Sequence, residues 1–262
     1  MKKRRIFRNL NDKEFAWVLY DVGNSAYTML ACALIPIWFK AMAIGTKPGQ
    51  LTSDRATAYY SMAIAVITIV VALLGPVCGA ISDYKGMKKI FFTSTVAVGV
   101  CGCILNGFAC QWIVFLLLFA VTKIFYNMSL MFYDSMLNDI TTEERMDEVS
   151  SYGYAWGYIG SCIPFLLALI AYCLSGGVSE DLMLFSPRLG MIIGFLVTAL
   201  WWLTVSLPLI KNYKQVNYVE DTKSGISKAF KKISNTLRRI AKEDKKVLYF
   251  LIAFFLYIDG VG

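Results

Sequence analysis

Six stretches of roughly 20 predominantly apolar residues recur along this chain, the length at which an α-helix crosses the hydrocarbon core of a bilayer. They cover residues 15–39, 58–82, 90–108, 112–136, 152–174 and 189–209, and a seventh begins at residue 247 and runs to residue 262. In lipid, every backbone N–H and C=O must be paired inside the segment or in a closed barrel. Continuous apolar runs of this length therefore predict helices, and the expected fold is an all-α polytopic membrane protein. The predicted organisation is an N-terminal segment 1–14, a six-span bundle 15–210, a connector 211–246 and an incomplete seventh span 247–262. Composition agrees: 57% of the residues are hydrophobic and 17% charged. A soluble domain has about 45–50% and about 25%, and a disordered chain needs low hydrophobicity with high charge.

The formal charge is +8, which in a soluble protein would suggest nucleic acid. Here the cations sort by loop. Lys2, Lys3, Arg4, Arg5, Arg8 and Lys13 precede the first span, Lys85, Lys88 and Lys89 follow the second, Arg145 follows the fourth, and eleven lie in 211–246. The opposite loops hold only Lys40, Lys47, Arg55 and Arg188. Cytoplasmic loops are enriched in Lys and Arg, so the N-terminus and the connector are expected in the cytoplasm, and no nucleic-acid partner is implied. The first span is too long for a signal peptide's apolar region of about 7–15 residues, and it contains Asp21, Asn24 and Ser25. It is expected to be retained. Within the connector, Ile226, Phe230, Ile233, Leu237 and Ile240 repeat at helical spacing. With basic residues on the other faces, this predicts an amphipathic helix at the headgroup interface.

The chain has no histidine and seven cysteines. The commonest general base and metal ligand is thereby missing, and no phosphate-cradling Gly-x-x-x-x-Gly-Lys-Ser/Thr segment occurs. No catalytic set is recognisable, so the chain is not read as an enzyme, and no metal or cofactor is implied. The cysteines, without paired spacing, are expected to be small buried hydrophobes.

A charge at the middle of a membrane helix costs about 2.5–3.5 kcal/mol and normally faces a cavity or a partner. Asp21, Lys123, Asp134 and Asp259 are such charges. In the first span Asp21, Asn24, Ser25, Thr28 and Cys32 share one helical face, which Tyr27 flanks. In the fourth, Lys123, Asn127 and Asp134 share a narrow arc that Tyr126 and Tyr133 border. In the fifth, Tyr154, Tyr158 and Ser161 share a face, and Gly153 and Gly157 form a small-xxx-small pair suited to close packing. Two readings follow from the residues. The faces line an aqueous path that takes a polar or zwitterionic solute, or they hold the helices of a membrane scaffold or receptor together.

The loop after the second span, Gly79-Ala80-Ile81-Ser82-Asp83-Tyr84-Lys85-Gly86-Met87-Lys88-Lys89, resembles the Gly-x-x-x-Asp-x-x-Gly-Arg/Lys signature of the major facilitator superfamily. In physical terms Gly79 is expected to let helices approach, Gly86 to make the turn, and Asp83 to cap a helix N-terminus and pair with a base. Tyr84 and Met87 stand where that signature often has arginine. Tyr20-Asp21-Val22-Gly23-Asn24-Ser25-Ala26-Tyr27 resembles the first-helix pattern of the superfamily's vacuole-effluxer branch. Phe132-Tyr133-Asp134-Ser135-Met136-Leu137-Asn138-Asp139-Ile140 resembles its element after helix four, with Asn138 replacing the usual proline. Glu143-Glu144-Arg145 and residues 149–160 continue the same order. That branch includes autophagy-related amino-acid effluxers.

The resemblance implies the six-helix N-terminal bundle of a major facilitator fold plus the start of helix seven. A second six-helix half is expected from further C-terminal sequence. It implies a secondary active transporter that moves a small polar solute, with amino acids as one class, by alternating access. Proton or sodium coupling through Asp21 or Asp134 is the expected drive. The expected location is the plasma (cell inner) membrane. The expected solute contacts are Asp21, Asn24, Ser25, Tyr27, Thr28, Lys123, Tyr126, Asn127, Asp134 and Tyr158. The expected gating loop is Gly79, Asp83, Gly86, Lys88 and Lys89.

Overall fold

The computed structural model describes residues 9–220, together with residues 246, 249 and 253. Six long helices run through the described residues: α1 (Asp12–Ala43), α2 (Ser53–Ser82), α3 (Met87–Gly107), α4 (Trp112–Ile140), α5 (Met146–Tyr172) and α6 (Pro187–Asn212). All six are long and apolar enough to cross a membrane. The amphipathic segment 226–240, the seventh span and Asp259 lie outside the described residues.

Each helix matches an apolar run, and most extend beyond it. Hydropathy marks the part that sits in hydrocarbon, whereas the helix ends where its last backbone groups find caps. At α1 the Asn11 side chain accepts from the backbone of Lys13 and Glu14 at 2.9 Å, and Glu14 Oε2 accepts from the Asn11 N–H at 2.8 Å. This capping box starts the helix three residues before the apolar run. At α6 Ser186 is the N-cap and Pro187 occupies the first turn, where its missing N–H costs nothing. Pro36, Pro76, Pro164 and Pro208 stand inside helices, as membrane helices tolerate. Gly86 has φ +78°, a left-handed conformation that glycine adopts without penalty. It makes the turn expected of it.

The packing has a clear order. α1 is central and lies against α5, α6 and α4. α3 packs on α4 and α6, and α2 lies mainly along α4. Trp202 on α6 fills the middle of the bundle, fully buried. A Cβ added at Gly99 on α3 would fall 2.5 Å from its Cη2, and one at Gly23 on α1 would fall 3.3 Å from its backbone oxygen. Small residues at these two positions therefore let three helices close on one indole, the usual device of helix packing in lipid. Tyr20, Tyr27, Phe92, Phe115 and Phe195 are among the other aromatic residues buried in the core. The cysteines differ from expectation. Cys103 is buried, Cys78 and Cys173 are half-buried, and Cys32, Cys101, Cys110 and Cys162 are exposed. In a bundle made for lipid an apolar side chain can point outward as readily as inward, so apolarity does not predict burial.

Candidate functional site

Three helices open a cleft of about 450 Å³ between them. α1 contributes Trp17, Asp21, Asn24, Ser25, Thr28 and Met29, a stripe at the 3.6-residue period. α4 contributes Lys123, Tyr126, Asn127, Leu130, Tyr133, Asp134 and Leu137, and α5 contributes Ser150, Tyr154, Tyr158 and Ser161. Nine of the ten residues expected to contact solute thus line one space.

Tyr27 is the correction. It is fully buried and packs its ring against Tyr126 and Trp202. Its hydroxyl has no hydrogen-bond partner among the described residues. Tyr27 lies one position from Thr28 but about 100° around the helix, which turns it into the core. It acts as backing, since the Lys123 ammonium lies 5.9 Å from its ring centroid and 4.9 Å from that of Tyr126. Those are cation–π distances.

The depth of each group follows from the contacts between α1 and α4. Trp17 stacks on Tyr133 at 4.3 Å, the Tyr20 hydroxyl bonds Ser129 at 2.7 Å, and Thr28 bonds the Tyr126 hydroxyl. As residue numbers rise on α1 they fall on α4, so the two helices are antiparallel. Asp21 and Asp134 therefore lie toward the same end, about one helical turn apart, and Lys123 lies at another depth, beyond Thr28. α5 runs parallel to α1: Gly157 sits against Asp21, and Ser161 donates to the Met29 sulfur at 3.2 Å.

The glycine pair on α5 shapes the acidic end. A Cβ at Gly157 would fall 2.9 Å from Asp21 Oδ2 and 3.1 Å from Ser25 Oγ. One at Gly153 would fall 3.4 Å from both Asp21 Oδ2 and the Tyr133 hydroxyl. The pair makes room for the carboxylate as well as for close helix contact. Asp21 also accepts from Asn24 at 3.2 Å. The buried Tyr133 hydroxyl has no partner among the described residues. None of the three ion pairs formed by described residues includes Lys123, Asp21 or Asp134.

Several lining residues carried no expected role: Trp17, Met29, Leu130, Leu137 and Ser150, and, as solute contacts, Tyr133, Tyr154 and Ser161. Tyr154 and Ser161 could have been added from their shared face with Tyr158. The apolar members carry no signal that separates them from packing residues. Among the described residues no cluster of three metal-ligating side chains occurs.

The signature loop lies at the end of the bundle that carries the α1 N-terminus, and its parts differ from expectation. Asp83 caps the C-terminus of α2, and Gly86 is the N-cap of α3. The Asp83 backbone oxygen accepts from the Val219 N–H at 2.8 Å. A Cβ at Gly79 would meet only Met131 Cε at 4.0 Å, so no close approach requires glycine there. Lys88 is buried and pairs with Asp139 on α4 at 3.3 Å, with the Ser135 oxygen at 3.2 Å. Lys89 donates to the backbone oxygens of Lys211 and Tyr213 at 3.4 and 3.2 Å.

Asp139 is the hub of this end. Besides Lys88 it accepts from the Tyr213 hydroxyl at 2.5 Å and from the N–H groups of Val216 and Asn217 at 3.3 and 2.8 Å. Burial, and then the Asp139 carboxylate, push the Tyr213 phenol well above its ordinary range, which keeps it a donor. Gln215 completes the clasp, accepting from the Gly86 N–H at 2.9 Å and donating to the Ser82 oxygen at 3.1 Å. The beginning of the connector is thus bound across the ends of α2, α3 and α4. A second clasp holds α1 to the turn before α5. Glu14, 1% exposed, pairs with Arg145 at 3.1 Å and accepts from Thr141 at 2.8 Å.

A family model described as "Vacuole effluxer Atg22 like" matches residues 11–262. A protein of Bacillus subtilis (strain 168), named "Uncharacterized MFS-type transporter YxiO", is 34% identical over 260 residues. The match covers 98% of this chain and 59% of that relative, so the chain spans less than two thirds of the relative's length.

Proposed function

Because the chain belongs to the vacuole effluxer Atg22-like family of the major facilitator superfamily, we propose that it forms the first half of a secondary active transporter. The solute is small and polar, with amino acids as one candidate class, and alternating access moves it. A second six-helix half closes the open side of the cleft, and the N-terminus and the Asp139 clasp face the cytoplasm. The proposed location is the plasma (cell inner) membrane, whereas the family description names a vacuole. Proton or sodium movement through Asp21 or Asp134 supplies the drive.

One observation carries this reading: three membrane-spanning helices turn their polar faces into one cleft. A mid-span lysine and two carboxylates stand in that cleft without ion-pair partners among the described residues. Helix glue would pair such groups with one another, because each unpaired charge in a span costs several kcal/mol. A solute path leaves them for its cargo.

The test is solute uptake by the full-length protein reconstituted in vesicles, under imposed proton or sodium gradients. Gradient-driven uptake that Lys123→Ala and Asp21→Asn abolish supports the proposal. Absence of uptake for every solute class, with the cleft closed to water-soluble reagents, would favour a scaffold or receptor instead.

A further inference from the structure

The charges in the cleft are sorted by depth. Asp21 and Asp134 stand at one end, with the unpartnered Tyr133 hydroxyl close to Asp21. Lys123 stands at the other, its ammonium held over the Tyr126 and Tyr27 rings. Tyr27 follows Asp21 by six residues on α1, and Asp134 follows Tyr126 by eight on α4. At 1.5 Å of rise per residue the two aromatic residues that carry the ammonium therefore stand about 9–12 Å along the bundle from the acids. An α-amino acid carries its ammonium and carboxylate on the same carbon, and it reaches only one pole.

The wall between the poles is uncharged, and part of it is unpaired. Ser25, Asn127 and Tyr158 face the cleft there, and their side chains make no hydrogen bonds among the described residues. Two small ions bound separately at the two ends would leave these groups unused. The amides and carbonyls of a short extended chain would meet them. An extended peptide advances by at most about 3.3–3.6 Å per residue, so three or four residues match the gap. A cleft of about 450 Å³ is of the size that encloses such a molecule.

We propose that the cleft selects bipolar, elongated solutes of about this length, with a short peptide as the model. The carboxylate sits on Lys123 and the ammonium sits between Asp21 and Asp134. The inference rests on reading the cleft as a solute site.

A molecular ruler tests it. Purified full-length protein is titrated with glycine, diglycine, triglycine, tetraglycine and hexaglycine, and binding is read as ligand-dependent thermal stabilisation. Apparent affinity should rise at least tenfold from glycine to an optimum at three or four residues. Amidating the C-terminus, or acetylating the N-terminus, of the optimal peptide should remove that gain. In Lys123→Met the free and amidated peptides should bind alike. The blocked peptides probe both poles in the unaltered protein, so the test does not depend on how the variant folds. Equal binding at every length, no binding at any length, or a length optimum that survives both terminal blocks would overturn the proposal. Vesicles that carry solutes without length dependence remove this inference and leave the transport reading in place. Vesicles that carry nothing remove the transport reading itself.

Discussion

Lys88 on α3 and Asp139 on α4 form an ion pair at 3.3 Å, with side chains 6% and 0% exposed. The pair stands where the signature loop meets the start of the connector, and the same carboxylate holds Tyr213, Val216 and Asn217. Removing one member of a buried pair leaves the other charge uncompensated, typically at about 3–5 kcal/mol. Lys88→Met should therefore destabilise the protein, toward the lower end of that range because Asp139 keeps three other donors. Thermal unfolding in detergent measures the loss, and protease cleavage within 213–220 should accelerate. An unchanged melting temperature would show that the pair is not a clasp.

Gly157 and Gly79 should respond differently to alanine. At Gly157 the new methyl lies 2.9 Å from Asp21 Oδ2, and at Gly79 it meets only Met131 Cε at 4.0 Å. Overpacking of the first kind costs about 1–3 kcal/mol, and it also displaces a carboxylate of the cleft. Gly157→Ala should lower uptake and stability, while Gly79→Ala should stay near wild type in stability. Equal effects at the two positions would contradict the packing described.

Tyr27→Phe separates a solute contact from a backing residue. The hydroxyl is buried and unpartnered among the described residues, and deleting such a group is nearly neutral or stabilising. The ring that faces Lys123 is kept. Uptake should remain within about twofold of wild type, a change under roughly 0.5 kcal/mol. A tenfold loss would place Tyr27 back among the solute contacts.

Thiol labelling reads the aqueous path. In a background without native cysteines, Asn127→Cys should react with a membrane-impermeant maleimide, since Asn127 lines the cleft. Restoring Cys103 alone should give no reaction. That thiol is fully buried and lies 3.7 Å from the Phe195 backbone oxygen. A protected Asn127→Cys would mean that no water reaches this face.

Glu14 gives a prediction away from the cleft. Its carboxylate closes the capping box of α1 and pairs with Arg145. Capping substitutions cost about 0.5–2 kcal/mol, and Arg145 would lose a buried partner as well. Glu14→Ala should speed amide exchange in the first turn of α1, measured by mass spectrometry, while residues deep in α6 keep their protection. Unchanged exchange at residues 11–15 would argue against the clasp.

Much of the cleft is legible from helical periodicity. Asp21, Asn24, Ser25 and Thr28 form a polar stripe on an otherwise apolar helix, and Lys123, Asn127 and Asp134 form a second. Polar residues in a span have few places to go, so their shared face points at a cavity or a partner. Tyr27 and Tyr133 are harder to read. Both are tyrosines at the margin of a stripe, yet one turns into the core and the other lines the cleft. Asp139 is visible in the sequence as one more acid at a helix end. Its role as a hub depends on Lys88, 51 residues away, and on Tyr213, 74 residues away, and no local pattern encodes either partner.

The sequence by itself determined the number of described spans, their approximate limits and which helical faces are polar. These depend on apolar length and on 3.6-residue spacing, which are properties of each segment alone. The tertiary structure decided how each helix is rotated and at what depth it meets its neighbours. Lipid and protein core are both apolar, so hydropathy cannot tell an outward face from an inward one. That choice falls to shape: Gly23 and Gly99 closing on Trp202, and Gly153 and Gly157 closing on Asp21. Through those contacts two carboxylates come to one end of the cleft and Lys123 to the other.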